Sequence, residues 1–416
     1  MAEKERNEDN TVKSEGKSGH GKRILLRTFG CQMNVRDSEF VMGVMLESGF
    51  RKTDSENKAD VIIFNSCSVR KHAEDRLFSN IMELKHLKKR KPGLIIGLMG
   101  CAAQFHKEKA IGRAPIIDFV CGPGNEHEMP AIVKKVIKSR RCVLATDKVN
   151  NPRPELFPEF RTDGAFASVS IGEGCNNYCS YCIVPYVRGR ERSRKADDII
   201  KEVKDLATRG FEEIMLLGQN VNSYQGLAYS VERIAYRKKL SAKRYPLNAK
   251  KYNFIQLLKS LNVIDGIEKI RFMTSHPKDA SKELFEAMRD IKKIDKRLHL
   301  PVQSGSNRIL RLMNRGYTKD HYSKLIKMYR SIVPGGEITT DIIVGFPTET
   351  KKDFEDTVKL VKDIKFDGAY IFKYSPRPPA SSCRFKDDVS SEEKQRRLAV
   401  ILDIQRKMSR KNGRNT

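Results

Sequence analysis

The sequence has no run of about 18 consecutive apolar residues, the length that a membrane-spanning helix needs. Residues 1–22 also lack the apolar stretch of a secretory signal, and their acidic side chains argue against an organelle transit peptide. We therefore expect a cytoplasmic protein that does not cross a membrane. Thiols stay reduced in that compartment, so the nine cysteines need a role other than disulfide formation.

Acidic residues are scarce relative to basic ones. The 416-residue chain has 80 lysines and arginines against 52 aspartates and glutamates, a formal net charge of +28. This excess favours a polyanionic partner, with nucleic acid ahead of an acidic membrane surface; a generally lysine-rich proteome is the alternative explanation. Because 39% of the residues are hydrophobic, the chain is not wholly disordered, and its length suits two or three domains.

An alternation of short apolar runs and amphipathic stretches begins at residue 23. Strands are predicted at 23–29, 59–65, 93–100 and 116–120, and helices at 37–48, 69–90, 102–111 and 125–138. This order is typical of βαβ units with a parallel sheet. We expect a disordered tail at 1–22, an N-terminal α/β domain at 23–146 and a proline-containing linker at 147–164.

A second alternating series follows the linker. Its predicted strands are 167–174, 212–218, 268–274, 297–303, 337–345 and 368–374, with helices at 196–209, 253–262, 281–291, 305–314, 319–332 and 350–364. Six βα repeats predict a partial (β/α)6 barrel, similar to a TIM barrel, in a domain spanning 165–383. A basic insertion at 226–252 interrupts the barrel and is either an RNA contact or a solvated excursion. Residues 384–416 are predicted to form a C-terminal amphipathic helix over 390–412.

Cys175, Cys179 and Cys182 form a C-x3-C-x2-C motif directly after the first barrel strand. That position puts the thiols at the C-terminal mouth of the barrel, where barrel enzymes place their active sites. Three thiolates on one loop suit three irons of a [4Fe–4S] cluster and leave the fourth iron open to a ligand. Zinc is the alternative, but it normally takes four ligands. The interleaved tyrosines either shield this site or belong to the core: Tyr178, Tyr181 and Tyr186.

Three more cysteines, Cys31, Cys67 and Cys101, each follow a predicted strand of the N-terminal domain and precede a helix. The carboxyl ends of parallel strands share one edge, so these thiols are expected to converge there. The helix N-termini and Arg70 would stabilise thiolates, which predicts a second three-thiolate cluster. Three unrelated buried cysteines are the alternative. Cys121 also follows a strand, whereas Cys142 and Cys383 have no such context.

The loop GEGCNNYCSYCIVPYVRGRERSR resembles the radical S-adenosylmethionine (SAM) superfamily, and the chain from residue 23 onward is similar to its methylthiotransferase family. Further matching segments occur in order through both domains: GCQMN, NSCSVRKHAE, GCAAQ, LLGQNVNSY, IRFMTSHP, HLPVQSGSNRIL and DIIVGFPTET. The resemblance is strongest to the MiaB-type branch. It implies SAM and two [4Fe–4S] clusters as cofactors, one cluster on each cysteine triplet, with SAM bound at the cluster of the C-x3-C-x2-C motif.

This resemblance implies conversion of N6-isopentenyladenosine, at nucleotide 37 of tRNA, to its 2-methylthio derivative. One SAM would methylate a sulfur at the first-domain cluster, and a second would be cleaved reductively to a 5′-deoxyadenosyl radical. The implied partners are tRNA, an external electron donor and a sulfur donor, and we expect a monomer. Sister branches act on threonylcarbamoyl-adenosine in tRNA or on an aspartate of a ribosomal protein. A non-catalytic iron–sulfur or zinc RNA-binding protein is the alternative of another class.

The resemblance also implies SAM contacts at the barrel mouth, where a turn or a helix cap is the alternative role of each residue: Gly218, Gln219, Asn220, Gln303, Ser304, Gly345 and Glu349. The superfamily often has a Gly-Gly-Glu-like turn after the second strand, and this sequence departs from it with Gln219. Thr274, Ser275 and His276 lie at the mouth as well and would face SAM or the nucleotide.

RNA binding is expected to involve the arginines of the cysteine loop, with carboxylate pairing as their alternative role: Arg188, Arg190, Arg192 and Arg194. Members of the family usually continue into a small C-terminal β-barrel, the TRAM domain, that helps to grip tRNA. The chain ends at Thr416, about where that domain should begin, so we expect the domain to be absent here: either the sequence is a fragment, or this member binds RNA through its basic surface and insertion.

Overall fold

A wholly parallel sheet forms the N-terminal domain in the computed structural model, which describes residues 21–68, 71–147, 160–162, 166–228 and 250–411. Its strands are β1 (Arg23–Phe29), β2 (Arg51–Lys52), β3 (Val61–Ser66), β4 (Ile95–Met99), β5 (Phe119–Cys121) and β6 (Val143–Ala145). They are ordered β2-β1-β3-β4-β5-β6. The helices are α1 (Gln32–Glu47), α2 (Lys71–Glu83), α3 (Lys85–Arg90), α4 (Cys101–His106), α5 (Lys109–Arg113) and α6 (Met129–Ser139).

Two apolar clusters cover opposite faces of this sheet. Successive side chains of a strand alternate between faces, so Val61 and Ile63 pack with α1 and α6, whereas Ile62 and Phe64 pack with α2 and α4. Coverage on both sides explains why the central strands are unbroken apolar runs. The carboxyl ends of β1, β3 and β4 then lie side by side at one edge.

Six further parallel strands form the second domain. They are β7 (Ala167–Ser170), β10 (Glu213–Leu217), β13 (Lys269–Phe272), β14 (Arg297–His299), β15 (Glu337–Val344) and β16 (Gly368–Lys373). Two three-stranded sheets, β13-β10-β7 and β14-β15-β16, are joined by a parallel bridge between Ile270 and Ile294. Two short antiparallel pairs of strands lie in connections between the barrel strands. They are β8 (Gly172–Glu173) with β9 (Arg192–Ser193), and β11 (Gln225–Ala228) with β12 (Lys250–Asn253).

Helices connect these strands. They are α7 (Val184–Val187), α8 (Ala196–Thr208), α9 (Phe254–Asn262), α10 (Lys282–Asp290), α11 (Asn307–Leu312), α12 (Lys319–Ile332) and α13 (Lys351–Ile364), followed by α14 (Ser391–Lys411). Short 3₁₀ turns occur at Pro123–Glu128, Val221–Ser223, Pro277–Asp279 and Ser381–Arg384. The predicted fold class, a parallel α/β domain followed by a partial (β/α)6 barrel, is confirmed.

Some predicted boundaries differ from the structure. The helix predicted at 37–48 begins at Gln32, because Cys31 is already its N-cap residue. The helix predicted at 69–90 is divided at Leu84, and the one at 102–111 is divided at Lys107, whose φ of +48° interrupts the helix. The strands β2 and β6 were not predicted, since each contributes only two or three residues at an edge of the sheet.

A buried cluster of charges joins the two domains. Glu202 on α8 accepts hydrogen bonds from Arg36 of α1 (3.2 Å), from Arg161 (2.5 Å) and from Arg194 (2.8 Å). Arg161 also donates to Glu39 of α1 at 3.1 Å. One carboxylate therefore binds arginines from the sheet domain, the connecting segment and the barrel.

A second buried ion pair spans the domains, with Arg377 Nη1 2.8 Å from Glu74 Oε2. Apolar contact accompanies these charges, because Met33 of α1 packs against Met215 and Leu217 of β10. Together these contacts hold the carboxyl edge of the sheet against the mouth of the barrel.

Several predictions concern segments that lie outside the described residues. They are the tail (1–20), Arg70, most of the linker (148–159 and 163–165), most of the basic insertion (229–249) and the last residues (412–416). Within the described ranges, no helix combines the length and the apolar character needed to cross a bilayer.

Candidate active site

The three N-terminal thiols come together at the carboxyl edge of the sheet. Cys31, Cys67 and Cys101 lie within two residues of the ends of β1, β3 and β4, which are neighbouring strands. The Cys31 thiol forms a hydrogen bond with Cys67 and acts electrostatically on Cys101. The sheet topology thus brings together three residues that are far apart in sequence.

Two buried asparagines fix the shape of this edge. Asn34 Nδ2 donates to Asn65 Oδ1 at 2.9 Å, and Asn65 Nδ2 donates back to the Asn34 carbonyl oxygen at 2.7 Å. The Cys31 thiol donates to Asn34 Oδ1 at 3.3 Å. Gly100, with φ of +84°, leaves room for this pair, because a Cβ there would lie 2.2 Å from Asn65 Oδ1. Sequence reasoning missed both asparagines, since only the pairing of β1 with β3 shows that they meet.

The surroundings of the triplet give its thiols different acidities. The hydrogen bond with Cys67, aided by the positive charge of Arg188, lowers the pKa of Cys31 to about 6. Burial raises the pKa of Cys101 to about 11. Metals bind the thiolate form, so loading iron at neutral pH displaces a proton from Cys101.

The second triplet lies on the loop after β8. Cys175, Cys179 and Cys182 are within electrostatic range of one another. Burial raises the pKa of Cys182 to about 12 and also raises the pKa of Cys175. Gly174 starts the loop with φ of +76°, and a Cβ there would stand 2.2 Å from the Arg190 carbonyl oxygen.

Arg315 supplies the positive charge of this second site. It is buried, with Nη1 donating to Cys179 Sγ at 3.2 Å and Nη2 donating to the Pro301 carbonyl oxygen at 2.7 Å. Its Nε donates to Tyr317 Oη at 2.8 Å. A guanidinium fixed beside a sulfur favours the thiolate. The sequence gives no local signal for this role, which depends on contacts more than 130 residues apart along the chain.

Arg188 connects the two triplets. It follows α7 on the loop of the second triplet, yet its Nε donates to Cys101 Sγ of the first at 3.1 Å and its Nη2 donates to Asp37 Oδ2 at 2.5 Å. Ile183 and Val187 of the same loop pack against Cys101. The predicted phosphate contact of Arg188 is therefore wrong: its guanidinium is buried against a thiol of the sheet domain.

Two more of the predicted RNA contacts pair with carboxylates. Arg194 Nη1 donates to Glu202 Oε2 at 2.8 Å, and Arg192 lies 3.7 Å from Glu173. Carboxylate pairing, the alternative role, therefore describes both side chains. Arg190 is exposed on the same loop, and its contact with RNA stays a prediction.

The thiols do not form a compact site for one ion. No group of three His, Cys, Asp or Glu side chains within the described ranges is arranged to hold a single metal ion. Zinc ligands lie ~2–2.3 Å from a shared centre, whereas the ligands of a four-iron cluster bind separate irons and lie further apart.

Buried polar atoms without partners surround the barrel mouth. Among the described residues, none donates to or accepts from Gln219 Oε1, Asn220 Oδ1, Ser275 Oγ, His276 Nε2 or Gln303 Oε1. These residues follow β10, β13 and β14, the carboxyl ends that form the mouth. Because unpaired buried polar atoms cost free energy, their grouping fits a polar cofactor such as SAM.

The protonation of His276 follows from its surroundings. Burial lowers the pKa of His276 to about 2, so the ring is neutral. Its Nδ1 accepts a hydrogen bond from the Lys278 backbone N–H at 3.2 Å, which leaves the proton on Nε2. The mouth therefore has a neutral donor here. Sequence reasoning missed Asn222 nearby, whose amide oxygen and nitrogen are both buried without partners within the described structure.

Three predicted SAM contacts also form hydrogen bonds that support the loops of the mouth. Ser304 is buried and accepts a hydrogen bond from the Ser306 backbone N–H at 3.2 Å. Glu349 Oε2 accepts from the Gly345 backbone N–H at 2.6 Å and from Arg397 of α14 at 2.7 Å. These bonds fit the turn or cap role given above as the alternative, while Glu349 Oε1 is buried without a partner among the described residues, so a SAM contact of these three residues stays a prediction. Gly218 stays beside Gln219 at the mouth.

The remaining cysteines have other surroundings. Cys121 is buried in the apolar cluster under α1 and α6, and Cys142 is exposed. Cys383 belongs to a 3₁₀ turn.

Two family models match the chain in the domains that carry the triplets. Residues 169–361 match the Radical SAM superfamily, and residues 23–122 match an uncharacterized protein family, UPF0004. The first range contains Cys175, Cys179 and Cys182, and the second contains the N-terminal thiols.

Similar proteins match both domains together. A tRNA-2-methylthio-N(6)-dimethylallyladenosine synthase of Thermodesulfovibrio yellowstonii is 44% identical over 95% of this chain and 86% of its own length. The protein of that name from Caldicellulosiruptor saccharolyticus is 45% identical over 93% of this chain and 79% of its own length. This chain belongs to that family of radical SAM methylthiotransferases. A third relative, the protein of that name from Clostridium novyi, is 41% identical over 97% of this chain.

Solved structures agree with the fold of this methylthiotransferase. The radical SAM methyltransferase TsrM of Kitasatospora setae, with cobalamin and a [4Fe–4S] cluster bound, has a TM-score of 0.56 at 12% identity and covers 85% of this chain and 75% of its own. The cobalamin-dependent SAM radical enzyme OxsB has a TM-score of 0.54 at 12% identity, over 94% of this chain and 56% of its own. At these identities the likeness concerns the fold alone.

Membership in the family also establishes the cofactors of this methylthiotransferase, which are SAM and two [4Fe–4S] clusters. The residues fit them, since two thiol triplets and a mouth of unpartnered polar atoms are present in one molecule.

Proposed function

We propose that this enzyme replaces the C2 hydrogen of N6-isopentenyladenosine in tRNA, at nucleotide 37, by a thiomethyl group, and does so in the cytoplasm. The observation that carries the proposal is the link that Arg188 makes between the two thiol triplets. Arg188 lies on the loop of the second triplet, and its Nε donates to Cys101 Sγ of the first. This contact supports the presence of two open cluster sites beside each other, as a reaction with two SAM-dependent steps requires.

The residues of each site have separate tasks in this proposal. Cys31, Cys67 and Cys101 hold one cluster, and the triplet of the barrel loop holds the other, where SAM binds. The unpartnered atoms of Gln219, Asn220, Ser275, His276 and Gln303 orient SAM through hydrogen bonds. Asn34 and Asn65 keep the first edge rigid, so that its sulfur stays directed toward the barrel.

The clusters supply the electron that cleaves SAM and hold the sulfur that is transferred. In the balanced reaction a sulfide-level donor provides the sulfur and one SAM its methyl group, while a second SAM leaves as methionine and 5′-deoxyadenosine, which carries away the hydrogen of C2. The electron spent on cleavage is returned when the C–S bond forms. An external reductant starts the reaction, and a monomer contains every group named here.

Exclusion of water is the remaining task of the protein. Tyr181 and Tyr317 are partly buried beside Arg315, and loss of solvent around them raises the pKa of both phenols, so they remain neutral. A wall of side chains limits the access of water to the sulfur sites. Partly buried neutral phenols contribute to such a wall without adding charge next to the sulfur sites.

Product analysis tests this function directly. The reconstituted protein is incubated without oxygen with SAM, a reductant, sulfide and isopentenylated tRNA, and the digested nucleosides are analysed by mass spectrometry. We expect the isopentenyladenosine signal to convert to a species in which hydrogen is replaced by a thiomethyl group. Intact clusters without such a product would refute the proposal.

Parallel substrates distinguish this function from those of related branches. tRNA with threonylcarbamoyl-adenosine, and the ribosomal protein with its target aspartate, are incubated under the same conditions. We expect no thiomethyl product from either. A product from one of these substrates alone would assign the chain to that branch, and SAM cleavage without any product would favour a different acceptor.

A further inference from the structure

Two tyrosines of the cysteine loop are exposed beside the cluster site. Tyr178 precedes Cys179 and retains 43% exposure, and Tyr186 on α7 retains 39%. Their rings pack edge to face, with centroids 6.4 Å apart and an interplanar angle of 88°. In this geometry the ring that presents its edge keeps both faces clear of its partner. The third tyrosine of the loop, Tyr181, is partly buried and packs against an apolar cluster, so shielding of the site does not require the exposed pair.

The backbone holds Tyr178 outward in an unusual conformation. Its φ is +45°, in the left-handed region that aromatic residues rarely adopt. The Asn314 side chain stabilises this turn, since its Nδ2 donates to the carbonyl oxygens of Asn177 (3.2 Å) and Tyr178 (3.1 Å). A strained residue fixed by a neighbouring side chain points to a functional constraint on where the ring stands.

Exposed basic residues lie on chain segments that contact the loop of the tyrosine pair. Three chain segments meet at Ser180, whose backbone N–H donates to Met313 O at 3.0 Å and whose carbonyl oxygen accepts from the Ser382 N–H at 2.8 Å. These segments carry exposed Arg311 and Arg384, neither of which has a carboxylate partner among the described residues. Exposed Arg190 belongs to the same loop as the tyrosines.

We infer that Tyr178 and Tyr186 form a stacking platform for an unstacked base of the tRNA anticodon loop, with Arg311 and Arg384 binding the adjoining phosphates. The inference rests on the proposed function, because it places the RNA of that same reaction. A nucleotide must leave its stack before its C2 reaches a buried site, and displaced bases stack on aromatic side chains. Exposed rings bordered by cations are the combination that single-stranded nucleic acid needs.

The chemistry of this surface favours RNA over the other polyanion considered, an acidic membrane. Both would be attracted by arginines, but only nucleobases offer flat faces for stacking. A membrane surface is therefore an outcome that the experiment must exclude.

Fluorescence of a base analogue tests the platform. An isopentenylated anticodon stem-loop carries 2-aminopurine beside the modified adenosine, and binding to the cluster-loaded protein is measured without oxygen. We expect stacking to quench the analogue with the natural protein. In Tyr178→Ala and Tyr186→Ala, we expect lost quenching and a Kd raised about 10- to 100-fold, the usual effect of removing a stacking ring. Tyr178→Phe and Tyr186→Phe keep the ring face and should restore both readouts.

Matched variants separate stacking from general damage. Tyr370 is 53% exposed on β16, and Tyr370→Ala should leave RNA binding unchanged. Iron content and the visible spectrum report on the cluster of each variant. Tyr178 stands within the C-x3-C-x2-C motif, whereas Tyr186 follows it. If Tyr178→Ala loses iron, RNA binding by Tyr186→Ala alone decides whether the platform exists.

The experiments distinguish failure of the stacking platform from failure of the proposed function. If the natural protein thiomethylates tRNA while Tyr186→Ala, with intact clusters, binds and quenches as well as the natural protein, the platform is refuted. If the natural protein binds the stem-loop but forms no thiomethyl product, the proposed function fails instead. Binding of acidic lipid vesicles that is reduced as strongly as RNA binding by Tyr186→Ala would overturn the assignment to RNA.

The arginines give a second, independent readout. The logarithm of the RNA association constant falls with the logarithm of salt concentration in proportion to the number of phosphates bound. We expect Arg311→Gln and Arg384→Gln each to reduce this slope by about 1, while base quenching at low salt persists. An unchanged slope in both variants would show that Arg311 and Arg384 do not bind RNA phosphates.

Discussion

Each cysteine triplet has one buried guanidinium that donates to one of its sulfurs. Arg188 Nε lies 3.1 Å from Cys101 Sγ, and Arg315 Nη1 lies 3.2 Å from Cys179 Sγ. Arg188 also has a buried Nη1 that no described residue accepts from, so it retains a donor for a bound group. Hydrogen bonds and positive charge at the sulfurs stabilise the reduced, more negative state of an iron–sulfur cluster and so raise its reduction potential.

Loss of either arginine should therefore lower the potential of one cluster only. In Arg188→Gln we expect the midpoint potential of the first-domain cluster to fall by on the order of tens of millivolts, and in Arg315→Gln that of the SAM-binding cluster. Potentiometric titration followed by electron paramagnetic resonance measures both. Lysine at either position should recover part of the shift. Arg289→Gln, which changes an exposed charge, is the control, and equal shifts in all three variants would contradict a local effect.

The cysteines themselves should account for the iron content. Two four-iron clusters predict about eight irons per chain after anaerobic reconstitution. Cys31→Ala and Cys175→Ala are each expected to retain about four, because a cluster with two protein ligands is lost while the other site is untouched. Iron analysis and absorption spectra make the measurement. Cys142→Ala, at an exposed thiol, should retain all eight; loss of iron there would contradict the ligand assignment.

The sequence predicts the cysteines of this site much better than the polar residues around them. Spacing places Cys175, Cys179 and Cys182 on one loop, and the βαβ order places the other thiols on one edge, so both triplets follow from local pattern and sheet topology. Arg188 was assigned to RNA because an arginine in a basic loop is usually solvated. Its burial depends on α7 packing against α4 of the other domain, a contact that no local pattern specifies.

Helix α8 contributes to the junction between domains through one carboxylate. Burial opposes ionisation of Glu202, but three arginines, led by Arg194, outweigh it and lower its pKa to about 2. Glu202→Gln keeps the shape and leaves these arginines without their shared counter-charge. We expect the free energy of unfolding to fall by roughly 3–5 kcal/mol, as measured by urea titration. Asp205→Asn, on the exposed face of the same helix, should change it by less than ~0.5 kcal/mol.

The pH dependence of this effect has a definite sign. The pKa of Glu202 is lower in the folded chain than its ordinary value of 4.5, so its contribution is complete above pH 4.5 and is lost as the pH falls toward 2. The difference between the natural protein and Glu202→Gln should shrink over that window. Cluster-free protein is used, because acid protonates the thiolate ligands. A difference that stays constant down to pH 2 would show that the charge of Glu202 is not responsible.

The bounds of helices with one buried apolar face were predicted closely. The bounds of helices that contact the other domain were not. The helices α12 and α13 begin within one residue of their predicted starts, since each has a Thr cap and an amphipathic pattern. Helix α1 was predicted to begin five residues too late. Its first turns bury Asn34, Arg36 and Asp37 against the thiol edge and the barrel, so polar residues occupy positions where the pattern requires apolar ones.

In the proposed reaction the N-terminal sheet domain must stay aligned with the barrel, because each of the two would supply one cluster site. The charged cluster at Glu202 fixes one side of the junction, and the ion pair of Arg377 with Glu74 fixes another. Glu74 also lies 3.7 Å from His106, at the end of the helix that begins with Cys101. A change there would alter the approach of the two sites without removing a ligand of either.

Glu74→Gln should therefore uncouple SAM cleavage from product formation. We expect normal iron content and continued reductive cleavage of SAM, but a ratio of 5′-deoxyadenosine to thiomethylated nucleoside raised by roughly tenfold or more, since misplacement of reacting groups by about 1 Å is that costly. Chromatography of both products from one reaction gives the ratio. Asp363→Asn, in an exposed helical pair on α13, should leave it unchanged. If Glu74→Gln slows cleavage and product formation equally, the junction supports the barrel alone and does not align the two sites.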